Sequence, residues 1–115
     1  MVEPAGDGNI NWVRRVRARN GRSFVVKQAR AALERFPEYQ VDTARMIFEA
    51  RYGEIVRAHV PGQAGVLPEL RFFDEPERVL VMEDLGDAPR LDHLLGDERA
   101  TPATLAALGE FLGAV

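Results

Sequence analysis

The chain has no cysteine, one lysine, one serine and two histidines in 115 residues. Without cysteine there are no disulfides and no thiolate metal sites, and no oxidising compartment is required. Ser23 has no Gly-x-Ser-x-Gly elbow around it, which removes the serine-hydrolase signature. His59 and His93 stand alone, without ligand-spaced neighbours, so no metal site is expected from them. No Gly-Lys-Ser/Thr occurs, which excludes a P-loop. No apolar run approaches the ~20 residues of a membrane span. The segment Met1 to Asp7 has no basic stretch followed by an apolar one, so no secretory signal is expected. A cytoplasmic location follows, with no membrane partner. A formal charge of −3 gives no general support for nucleic-acid binding.

What is present fits one small domain with one core: 46% of residues are hydrophobic and 29% charged. The expected class is α+β. Residues 2–5 read as a strand stub and Gly6 to Asn11 as a turn. Trp12 to Arg19 and Arg22 to Gln28 read as the arms of a hairpin, joined by a two-residue Asn20-Gly21 turn. Arg14, Arg15, Arg17, Arg19 and Arg22 read as the solvated face of that hairpin, opposite Trp12, Val16 and Ala18. Ala29 to Phe36 suits a short helix broken before Pro37. Asp42 or Thr43 can cap a longer helix to about Ala58, with Ala44, Ile47, Phe48, Tyr52 and Ile55 as its apolar face. Pro61 to Gly65 reads as a loop. Val66 to Phe73 and Arg78 to Glu83 read as strands around the turn at 74–77. Arg90 to Leu95 is a short helix. Thr101 and Pro102 open another, carrying Leu105, Leu108, Phe111, Leu112 and Val115. This last helical pattern still runs at Val115, as expected of a truncated chain.

Lys27 ends the apolar run Phe24-Val25-Val26, in a chain whose other fourteen basic residues are arginine. A glycine-rich turn, Gly6-Asp7-Gly8-Asn9-Ile10-Asn11, lies upstream. A glycine loop, a strand and then a strand-borne lysine is how kinase-like folds hold ATP phosphates. Glycine lets backbone N–H groups approach phosphate oxygens closely. Lysine adds a compact charge on a flexible stem. Val13 would roof the adenine. Lys27 needs an acidic partner from the following helix, and Glu49 is preferred over Glu54. The competing structural reading pairs Glu49 with Arg45 at i, i+4. Val79 to Gly86 reads as a strand leading into a hinge. There Met82 faces the back of the pocket, the Glu83 carbonyl accepts from the adenine amino group, and the Leu85 N–H donates to the ring.

Three segments carry a family resemblance: Gly6-Asp7-Gly8-Asn9-Ile10-Asn11, Val25-Val26-Lys27-Gln28-Ala29 and Val81-Met82-Glu83-Asp84-Leu85. Together they resemble the aminoglycoside phosphotransferase superfamily, and within it the methylthioribose-kinase-like small-molecule kinases. Asn11, which replaces a glycine of the protein-kinase loop, fits that branch. The resemblance implies an antiparallel sheet of about five strands with one packed helix, as a protein-kinase-like N-lobe over residues 1–85. Residues 86–115 would be the hinge exit and the first helices of a truncated C-lobe.

The resemblance also implies ATP-dependent phosphoryl transfer to a hydroxyl of a small molecule, with Mg²⁺. The catalytic-loop and metal-binding residues belong to a C-lobe that this sequence does not include. Neither His59 nor His93 begins a catalytic loop. The chain by itself is therefore expected to be non-catalytic. The acceptor stays open among sugars, aminoglycosides and amino alcohols. A non-catalytic nucleotide- or partner-binding module is the alternative, and an unrelated α+β interaction domain a third reading.

Overall fold

The computed structural model describes residues 1–5 and 10–115. The chain is α+β. Five strands form one antiparallel sheet: β1 (Val2–Pro4), β2 (Asn11–Arg17), β3 (Ser23–Ala29), β4 (Leu70–Asp74) and β5 (Val79–Glu83), in the order β1-β2-β3-β5-β4. Helix α1 (Arg45–His59) packs on one face, and α2 (Leu91–Gly96) and α3 (Pro102–Ala114) follow the sheet. Among the described residues no helix is long and apolar enough to cross a membrane.

The β2–β3 hairpin has a three-residue loop in place of the expected two-residue turn. Ala18 N–H bonds Arg22 O at 2.8 Å, and Gly21 N–H bonds Ala18 O at 3.0 Å. Only Gly21 takes a positive φ, of 82°. A right-handed turn closed by a left-handed glycine needs one more residue than the Asn-Gly turn does. Asn20 uses its side chain to accept from Arg22 N–H at 3.0 Å.

The helix expected over Ala29 to Phe36 is absent. Ala29 is the last residue of β3, and the chain beyond it folds back on itself through an Ala32–Gln40 bridge. Val41 N–H bonds Ala31 O at 2.8 Å and Leu33 N–H bonds Tyr39 O at 3.2 Å. Eight residues ahead of a proline are too few to offset helix nucleation, and these cross-chain bonds satisfy the same groups.

Helix α1 forms, yet buries a different face from the one its large apolar residues mark. Met46, Ala50 and Val56 are buried, while Phe48, Tyr52 and Ile55 are exposed. Both stripes have helical spacing, so periodicity alone does not choose between them. Small Ala50 lets the helix axis approach the sheet at Leu80, and Met46, Ala50 and Leu80 form the core with Ala29, Leu70, Phe73 and Met82 against it. Asp42 caps the turn before the helix by accepting from Ala44 N–H at 2.8 Å.

The strand expected from Val66 shortens to Leu70–Asp74, and Pro61–Val66 is a 3-10 helix. Pro68 has no N–H to give a ladder. The carbonyls of Leu67 and Pro68 turn instead to the Arg57 guanidinium. At the other end, Thr101 caps α3 by accepting from Thr104 N–H at 3.2 Å. Of the expected α3 stripe only Phe111 is buried, and Leu105, Leu108, Leu112 and Val115 remain exposed.

Candidate functional site

Strand register aligns the chemistry. On the face that meets α1, Val13, Lys27 and Leu80 form one cross-strand row, and Arg15, Val25 and Met82 form the next. Residues two apart on a strand share a face, so β2 presents Val13 and Arg15 together, and β3 presents Val25 and Lys27.

Lys27 Nζ lies 2.5 Å from Glu49 Oε1. Glu49 precedes Ala50, whose contact with the sheet fixes the helix against β3 and β5. Glu54 is exposed and forms no ion pair among the described residues. Arg45 does not take the i, i+4 place beside Glu49. It spans instead the carbonyls of Ile10 (2.9 Å), Arg30 (3.0 Å) and Asp42 (2.7 Å).

A cavity of about 420 Å³ opens beside the second row. Val13, Val25 and Met82 make its apolar wall, and Glu83 and Leu85 its edge. Pro4 and Ala5, the last described residues before Gly6, also line it. Lys27 and Glu49 do not line it; Lys27 stands one row along the sheet, next to Val13, and Glu49 reaches it from α1. A second cavity, about 240 Å³, lies behind α1 and is lined by Glu49, Ala50, Leu80 and Met82 among others. Met82 borders both cavities and forms part of the wall between them.

The sequence-derived residues therefore divide. Val13, Met82, Glu83 and Leu85 converge on the larger cavity, and Lys27 and Glu49 pair next to it. The Glu83 carboxylate accepts from Glu69 N–H at 3.0 Å. Asn11 Oδ1 accepts from Arg45 at 3.0 Å, so its amide fastens β2 to the start of α1. Gly6, Asp7, Gly8 and Asn9 lie outside the described residues.

Arg15 departs from the expectation of a solvated arginine face. It is 7% exposed and lines the larger cavity. Its Nε donates to Asp84 Oδ2 at 2.7 Å, its Nη2 to Asp84 Oδ1 at 3.1 Å and its Nη1 to Asp87 Oδ1 at 2.7 Å. Ser23 Oγ donates to Asp84 Oδ2 at 2.5 Å, and Gly86 N–H to Asp84 Oδ1 at 3.0 Å. Four donors fill the acceptor capacity of one carboxylate. The Arg15 guanidinium holds the Asp84 carboxyl far below the usual carboxylate range, with Ser23 and Gly86 adding to the effect. The two aspartates, Asp84 first, raise Arg15 further above its already high value.

Strand alternation divides these arginines between the two faces of β2. Arg14 shares a face with Trp12 and lies over its ring at 4.7 Å, while Arg15 points with Val13. Arg17 shares that face and stays exposed, so what buries Arg15 is Asp84, 69 residues further along the chain.

Among the described residues no three His, Cys, Asp or Glu side chains converge in a way that could hold a metal ion. None of them is assigned to Mg²⁺. No protein-family model matches the chain, and no curated protein matches it.

Proposed function

We propose that these residues are the ATP-binding part of a small-molecule phosphotransferase, in the manner of a kinase-like N-lobe. The observation that carries the reading is the Lys27–Glu49 pair, one cross-strand row from a cavity that Val13, Met82, Glu83 and Leu85 border. Apolar walls with a few polar groups at the edge are what a flat heteroaromatic base requires. The adenine would lie between Val13 and Met82, its edge toward the backbone of Glu83 and Leu85. Lys27, kept extended by Glu49, would set its ammonium against the α- and β-phosphates.

In this reading ATP brings Mg²⁺ as its own chelate, and the metal screens phosphate charge. The described residues bind and orient the donor and supply no group for activating an acceptor hydroxyl. Such a role goes with the cytoplasm. The acceptor would be a small-molecule alcohol.

A second reading, a non-catalytic nucleotide- or partner-binding module, draws on the exposed stripe of Phe48, Tyr52 and Ile55 along α1. Isothermal titration of ATP into the wild-type chain and into Lys27→Ala tests the proposal. Binding by the wild type and its loss in a folded Lys27→Ala chain are expected. No ATP affinity in the wild type would overturn both nucleotide readings and leave an α+β interaction domain.

A further inference from the structure

The Arg15 cluster serves no contact that the nucleotide reading uses, yet Arg15 is buried and makes three hydrogen bonds to two carboxylates. Its geometry is directional. Arg15 belongs to the centre of β2, whereas Asp84 and Asp87 belong to the segment that leaves β5. Three hydrogen bonds thus cross between parts of the chain 69 to 72 residues apart. Glu3 Oε1 stands 3.5 Å from Arg15 Nη1 and adds β1 to the same knot.

The segment so held is short and turned. Gly86 has φ of 87°, a conformation that residues with a side chain rarely adopt, and its N–H closes the turn onto Asp84 Oδ1. Leu85 sits inside that turn. Its N–H direction is thus set by the residues on either side, both of which are held through Asp84. The Asp84 side chain is 10% exposed and saturated with donors, while that of Asp87 is 83% exposed and has one bond to Arg15. Asp84 is the fixed end of the clamp and Asp87 its releasable end.

We propose that Arg15 is a positioning residue that sets base selectivity, by clamping residues 84–87 so that Glu83 offers a carbonyl and Leu85 an N–H to the cavity. This inference rests on the nucleotide reading above. Adenine presents an amino donor where guanine presents a carbonyl acceptor. A rigid carbonyl therefore welcomes the first and leaves the second facing an acceptor, with a buried acceptor pair unsatisfied. A loosened turn re-aims its peptide groups and loses that discrimination. The phosphate tail, held through Lys27 on the next row, is untouched.

Arg15→Lys keeps the charge and gives up the forked geometry. Ser23→Ala removes one of the four donors to Asp84 and leaves the arginine in place. Two quantities are measured on the full chain: amide hydrogen exchange at Gly86 without ligand, and the ratio of GTP to ATP dissociation constants, with tripolyphosphate as the tail-only control. In Arg15→Lys, exchange at Gly86, whose N–H is bonded to Asp84, should rise at least about tenfold while α1 exchange is unchanged. The GTP/ATP ratio should fall about tenfold with tripolyphosphate affinity constant, and Ser23→Ala should move both in the same direction by less.

Unchanged exchange at Gly86 in both variants overturns the clamp, as does an unchanged ratio in variants that exchange faster. A merely structural arginine would lower the melting temperature without moving the ratio. If wild-type chain binds neither nucleotide, the nucleotide reading fails and the selectivity inference with it. The exchange result then separately reports whether Arg15 holds the turn.

Discussion

Lys27 Nζ and Glu49 Oε1 meet at 2.5 Å across 22 positions of sequence, one from the middle of a strand and the other from the second turn of a helix. The pair is partly open to water, with the two side chains 24% and 40% exposed. An ion pair of this kind contributes about 0.2–1 kcal/mol to stability. In the nucleotide reading proposed above, its position on the sheet face, next to Val13 and the cavity, counts for more than its contribution to the fold.

Lys27→Met should accordingly separate stability from binding. The methionine keeps an apolar stem of similar length, so the urea midpoint should shift by no more than about 1 kcal/mol of stability. ATP affinity should fall by at least about tenfold, equivalent to roughly 1.4 kcal/mol. Glu49→Gln should weaken ATP in the same direction by a smaller factor, since the lysine keeps its charge and loses only its tether. Calorimetric titration checks both, and equal affinity in wild type and Lys27→Met would remove the lysine from the site.

The Arg15–Asp84 pair predicts a definite acid response. The Asp84 carboxyl is depressed from its ordinary value of 3.8, chiefly by the Arg15 hydrogen bonds. A carboxylate depressed in the folded state stabilises the fold above its unfolded value, and that stability is lost as pH falls toward the folded value. Wild-type stability should therefore decline as pH drops below about 4. Asp84→Asn should be less stable at pH 7 and flatter on the acid side. Urea midpoints across pH 2 to 7 check this, and parallel curves for the two proteins would show that the acid response arises elsewhere.

The face of α1 can be tested by two truncations. Met46 is fully buried against Leu80, and Met46→Ala should cost about 2–5 kcal/mol. Phe48 is 69% exposed, and Phe48→Ala should stay within about 0.5 kcal/mol. Comparable losses from the two, measured by chemical denaturation, would mean that the exposed stripe is packed in solution.

The cap of α3 gives a local test. Thr101 Oγ accepts from Thr104 N–H, so Thr101→Ala should cost about 1 kcal/mol and reduce far-UV helical signal, while Thr101→Ser should retain both. Indistinguishable alanine and serine variants would argue against the cap.

The elements legible in the sequence were those with strong local chemistry. Gly21 and Asn20 marked the hairpin, Thr101 and Pro102 marked α3, and the run Val79 to Glu83 marked β5. Errors arose where local signals were degenerate. Ala29 to Phe36 has helix-forming residues, yet the return of the chain at Gln40 and Val41 offers its backbone better partners. Val66 to Glu69 is apolar enough for a strand, but Pro68 withholds a donor and Arg57 takes the carbonyls.

By itself the sequence determined the α+β class, the order of the main elements, and Lys27 and Glu49 as the cation and acid to watch. Their spacing and periodicity are local properties, written in residues close together along the chain. Tertiary structure decided which stripe of α1 turns inward, because Ala50 and Phe48 fit helical spacing equally well and only the approach to Leu80 distinguishes small from large. It also decided that Arg15, one arginine among five near-neighbours, is buried on Asp84. No local rule selects it, because the carboxylates that hold it arrive from 69 and 72 residues away.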